Sequence, residues 1–132
     1  MAAGTPAVPS SSKMVWTGRI VSGIVVLFLV AVNLMGIIKH AEMAPQFARM
    51  GYPESLAIKI PVVCIICAVI YAIPRTAILG AILVTAYLGG ATATHVRIGE
   101  PFFFPVFVAV LAWGGIFLRD EKVRALIPVR RS

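Results

Sequence analysis

The chain has 132 residues, 60% of them hydrophobic, which is too apolar for an ordinary soluble domain and leaves room for one domain only. Its net charge of +7 comes from basic side chains scattered over tails and loops. A nucleic-acid binder gathers such residues on one folded face, so the charge points instead to orientation in a membrane.

Four apolar runs dominate: Ile20–Ile38, Ser55–Ile73, Thr76–Thr94 and Phe102–Leu118. Only Lys59 interrupts them with a charge. A helix needs about 20 mostly apolar residues to cross the hydrocarbon layer, so each run predicts a span. The expected fold class is an all-α bundle of four transmembrane helices, occupying residues 16–126.

Residues 1–15 precede the first span. Met1–Ser12 is rich in Ala, Pro and Ser without apolar periodicity, and reads as a disordered tail. The first apolar run is too long for the core of a signal peptide, and no small-x-small cleavage site follows it, so it is expected to be retained. Trp16 suits the headgroup boundary. Lys39 and His40 close the first span. Ala41–Tyr52 then places Met43, Phe47 and Met50 at roughly helical spacing, which fits either a short helix on the membrane surface or a plain loop.

Pro61 falls near the start of the second span, where its missing N–H costs least. Lys59 there can lift its ammonium group to the headgroups. Pro74 ends the helix before it, and Thr76 is a candidate N-cap for the third span. The second and third spans are therefore expected to form a tight antiparallel hairpin. Along the third, Ala77, Ala81, Thr85, Gly89 and Ala93 recur every four residues, a small-residue row for close helix packing. Phe102, Phe103 and Phe104 open the fourth span as an aromatic belt, and Arg119–Lys122 end it. Residues 127–132 form a basic tail able to touch anionic headgroups.

Four spans put both termini on one side. Lys13, Arg19, Arg75, Arg119, Lys122, Arg124, Arg130 and Arg131 lie there, against Lys39, Arg49, Lys59 and Arg97 opposite. The excess of basic residues predicts that both termini are cytoplasmic, in the plasma membrane.

Few polar groups enter the spans. Asn33 and His40 are seven apart, Tyr87 and His95 eight apart, so each pair shares a helix face. With Thr92, Thr94, Arg97 and Glu100 they are expected at the outward end, where they could converge on one pocket for a quinone head group or another small polar ligand. The competing reading makes His40 and His95 ordinary interfacial residues and Tyr87 a packing residue. Asn33 lies inside a span and needs a partner across helices. Cys64 and Cys67 form a C-x-x-C, the spacing of thiol–disulfide chemistry, but their apolar flanks favour two buried fillers. Two Cys and two His are too few and too scattered for a metal site.

The run Tyr87-Leu88-Gly89-Gly90-Ala91-Thr92-Ala93-Thr94-His95-Val96-Arg97, with Ile73–Thr76, Leu79–Leu83, Gly99–Pro101 and Leu118–Asp120, resembles the DoxX-like family of small membrane proteins. Phe47, Gly51, Tyr52 and Pro53 fit as well, and the likeness extends over roughly Trp16 to Pro128. The resemblance implies a four-helix protein of the bacterial inner membrane. It also implies a link to quinone-dependent redox partners, since the family name comes from a membrane subunit of a thiosulfate:quinone oxidoreductase. Many members carry a Glu in the second span near the position of Cys64, and the missing carboxylate weakens a proton-handling role here. Three readings follow: a membrane subunit associated with quinone-linked redox chemistry, a non-catalytic scaffold or partner-binding subunit, and an intramembrane thiol oxidoreductase. A membrane redox partner protein or a second copy of the chain would be the associated molecule.

Overall fold

The computed structural model describes residues 11–126. The expected basic tail at 127–132 and most of the expected N-terminal tail lie outside them. Six α-helices follow in order: α1 (Ser12–Ile38), α2 (His40–Arg49), α3 (Leu56–Ala72), α4 (Ala77–Arg97), α5 (Phe103–Arg119) and α6 (Glu121–Leu126). A 3-10 turn, Pro74–Thr76, joins α3 to α4. There is no strand among the described residues.

Helix α1 begins eight residues before the apolar run, so Ser12–Val15 is helix rather than tail. Ser11 explains the start: its side chain accepts from the Met14 amide at 3.1 Å and satisfies one of the free donors of the first turn. The segment after Lys39 is a helix and not a plain loop. It stops where Gly51 adopts φ +86, a left-handed conformation that favours glycine. Helix α3 stops at Ile73, which Pro74 holds extended at φ −80 and ψ 121. Thr76 does not cap α4 with its side chain. Its hydroxyl turns back and donates to the Ile70 carbonyl of α3 at 2.8 Å. Gly99, at φ +74, ends α4.

Helix α1 packs against α3 and α5, and α4 packs against the same two from the other side. α2 packs on α3 and the end of α1, and α6 packs on the end of α5, so they lie at opposite ends of the ring. The buried core collects Val25, Cys64, Tyr71, Val84 and Ile116 from all four long helices. The outward faces are apolar too: Ile20, Leu27, Ile66, Ile82, Phe103 and Val110 are exposed. Ser12–Ile38 and Pro74–Arg97 are long and apolar enough to cross a membrane. Helices α3 and α5 are equally apolar but have 17 residues each, about 25 Å of helix at 1.5 Å per residue.

Two glycines set the closest approaches. A Cβ on Gly80 would strike the Tyr71 backbone and come within 2.7 Å of the Ile70 carbonyl carbon, so only glycine lets α4 sit this close to α3. A Cβ on Gly18 would stand 2.6 Å from the Gly115 carbonyl oxygen, which makes α1 and α5 touch backbone to backbone.

Candidate functional site

Three helices meet in a small polar cluster beneath the α2 end. Asn33 on α1 donates to its own helix at Leu29 O (2.7 Å) and across to the Cys64 thiol on α3 (3.2 Å). An amide in an apolar span needs such partners, because lipid offers none. Tyr87 on α4 packs half-buried against the same core and faces this thiol. Cys67 lies one turn further along α3. Both cysteines are free and buried, embedded among Ala68, Val84 and other core residues.

Above the cluster, polar contacts hold α2 and the loop after it. Glu100 receives Arg49 in a 2.9 Å ion pair and accepts from Gln46 at 3.3 Å. Arg97 donates to the Met50 carbonyl. Tyr52 and Thr94 share a hydrogen bond of 3.0 Å, and the Thr94 hydroxyl donates to Gly90 O. None of the α2 residues is buried, so these contacts rather than an apolar core fix the helix in place. Gln46, Arg49 and Tyr52 are not among the expected site residues, although the charge of Arg49 against Glu100 is a signal for the pairing.

The expected single pocket is therefore divided. Asn33 and Tyr87 join the interior cluster with Cys64. Arg97 and Glu100 serve the α2 attachment. His40 is exposed and its Nδ1 meets Ile37 O at 3.1 Å, within its own helical turn. His95 is half-buried, with Nδ1 2.6 Å from Ala91 O on its own helix. Thr92 turns to another face altogether.

That face carries a groove of about 500 Å³ between α4 and α5, lined by Thr85, Gly89, Thr92, Val106, Ala109 and Trp113 among others. Its polar groups bond locally: the Trp113 indole donates to Thr85 Oγ1 (2.6 Å), while the Thr85 and Thr92 hydroxyls donate to Ala81 O and Leu88 O. The small-residue row behaves differently along its length. Ala77 and Ala81 are buried, Thr85 is half-buried, and Gly89 and Ala93 are exposed. A four-residue step overshoots one helical turn by roughly 40°, so the row winds from the interior to the outer surface. A Cβ at Gly89 would meet nothing within 4 Å.

At the opposite end, Tyr71 forms a second buried node. Its hydroxyl donates to Ala112 O on α5 (2.7 Å) and shares a 2.8 Å hydrogen bond with Ser22 on α1. Ser22 and Tyr71 were polar residues inside apolar runs, which is the signal that could have marked them.

A quinone head group needs donors aimed at its carbonyl oxygens. At the α2 end His40 and His95 each spend one ring nitrogen on a backbone carbonyl, and in the groove the Thr85, Thr92 and Trp113 groups bond within the chain. The groove lining is almost wholly apolar and fits an apolar occupant. Neither the curated proteins nor the solved structures provide a match to this chain. The DoxX-like family model matches residues 20–115, which take in α1 through most of α5 with the cluster, the attachment of α2 and the groove. On that match, the chain belongs to the DoxX-like family.

Proposed function

We propose that this is an integral membrane subunit that binds and positions a partner, without a catalytic centre of its own. In this reading all four long helices cross the bilayer of the bacterial inner membrane, with both termini cytoplasmic. The basic excess at the α6 end supports that orientation. The partner belongs to quinone-linked redox machinery, as the family suggests, and carries the chemistry.

The observation behind this reading is the outward turn of the small-residue row. Ala86, Gly89, Gly90 and Ala93 are exposed on α4, beside the groove shared with α5. Small residues let a second helix approach closely in lipid, where dispersion contacts replace the hydrophobic effect as the driving force. A partner's transmembrane helix fits there, with one apolar side chain seated in the groove.

Gly89→Leu tests it, because the first side-chain carbon there meets nothing within 4 Å and the rest of the side chain occupies the groove a partner would use. The protein is released gently from its own membrane and weighed intact. The expected result is a co-purifying protein, heterologous or a second copy, that is lost from Gly89→Leu. A bound quinone with no protein partner would overturn the reading in favour of direct quinone binding. Retention of the partner by Gly89→Leu would remove the groove from the proposal.

The interior thiols support a second reading, thiol oxidation through Cys64 and Cys67, only through their spacing. Their burial leaves no route for an exchange partner.

A further inference from the structure

The α6 end holds an arginine that forms no ion pair with a carboxylate side chain among the described residues. Arg119, the last residue of α5, is half-buried. Its guanidinium stands 5.9 Å from the centre of the fully buried Tyr71 ring. Its Nε is shielded from solvent and has no hydrogen-bond partner among the described residues. The adjacent carboxylate is occupied: Asp120 Oδ1 accepts from the Lys122 and Val123 amides and starts α6. Glu42, Glu54 and Glu100 lie at the other end. The contact between Gly18 and Arg119 brings the start of α1 to the same place, with Arg19 stacked 5.3 Å over the exposed Trp16.

The surroundings are strongly cationic. Six basic side chains stand at this end against two acidic ones, Asp120 and Glu121, whereas the α2 end has four against three. A partly desolvated guanidinium with no carboxylate calls for an anion that can meet its planar fork, and phosphate does so with two parallel hydrogen bonds. At the edge of a bilayer the phosphate within reach is that of a lipid.

We propose that Arg119 binds the phosphate of an anionic phospholipid of the cytoplasmic leaflet, with Arg19 and Trp16 at the margin of the same site. This rests on the membrane-spanning reading above, but not on the partner-binding role. Arg119 would fix one lipid in place, while the other cations at this end supply only diffuse attraction.

The test uses the full chain in bilayer discs of phosphatidylglycerol and phosphatidylcholine, with the lipids retained after gentle extraction counted by native mass spectrometry. The wild type is expected to keep one phosphatidylglycerol in preference to phosphatidylcholine. Arg119→Gln should reduce that retention roughly tenfold, as loss of a charge-assisted pair does. Arg75→Gln removes one charge at the same end, on an exposed turn, and should change it by less than about twofold. Arg119→Lys should be intermediate, and it carries the comparison if Arg119→Gln does not fold. Equal losses in Arg119→Gln and Arg75→Gln would overturn the site in favour of diffuse charge. Equal retention of both lipids by the wild type would also overturn it. So would protection from heat by inorganic phosphate equal to that by phosphatidylglycerol, which would assign the position to a free ion. Flotation with vesicles separates the two levels: a chain that fails to float loses the membrane reading, and one that floats without lipid preference loses this inference alone.

Discussion

The Tyr71 hydroxyl donates to the Ala112 carbonyl at 2.7 Å and meets the Ser22 hydroxyl at 2.8 Å, so one side chain of α3 joins α5 and α1. The ring is fully buried, and Gly80 of α4 lies against its backbone. All four long helices therefore register on this residue. Tyr71→Phe keeps the ring and removes both hydrogen bonds. It should destabilise the protein by about 1–2 kcal/mol, the upper part of the range for polar contacts within membrane proteins. Reversible unfolding in mixed micelles would measure it, and no change would mean that the node is not stabilising.

The two glycines of α4 should respond in opposite ways to alanine. Gly80→Ala forces a methyl into the Tyr71 backbone and should cost about 2–3 kcal/mol or prevent folding. Gly89→Ala meets open space and should be neutral or slightly stabilising, since alanine is the better helix former. Melting curves of the two variants side by side decide it. A costly Gly89→Ala in the isolated chain would contradict the packing described above.

Glu100→Gln removes the ion pair with Arg49 and weakens the contact to Gln46. Arg49 is largely exposed, so the loss in global stability should stay within about 1 kcal/mol. The local effect should be larger, because α2 has no buried residue to hold it once those contacts go. Hydrogen exchange of the amides of residues 40–49 should accelerate several-fold while those of α3 and α4 keep their protection. Unchanged exchange in α2 would show that Arg97 and Tyr52 suffice.

Cys64 and Cys67 should resist a membrane-permeant maleimide in the folded protein and react fully once it is unfolded in detergent. Burial within the core and bonding of Cys64 to Asn33 motivate this outcome. Treatment with a reductant should leave the labelling unchanged. Rapid labelling of the folded chain that depends on reductant would restore the thiol oxidoreductase reading.

Much of the helical layout was legible beforehand because its signals are local. Uninterrupted apolar runs mark the long helices, and Pro74 marks where α3 stops. The start of α1 was missed because Ser11 caps a stretch with no apolar periodicity. The site was far less legible. Helical spacing placed Tyr87 and His95 on one face, yet Tyr87 points to Cys64 while His95 bonds back to its own helix. Which neighbour a face meets depends on how far the helix is rotated in the ring, and no spacing along one helix contains that angle. The small-residue row illustrates the point: its period of four is correct, but helical drift carries Gly89 and Ala93 out of the core.

The backbone contact of Gly18 with Gly115 also fixes a schedule for synthesis. It joins α1 to α5, so this second partner of α1 leaves the ribosome only after α3 and α4 have been made. At typical elongation rates that delay is roughly 5–20 s. Throughout it, the Gly18–Ser22 surface of the nascent helix stays uncovered, its serine hydroxyl facing hydrocarbon or an insertion chaperone. A chain truncated before α5 would keep that surface open indefinitely.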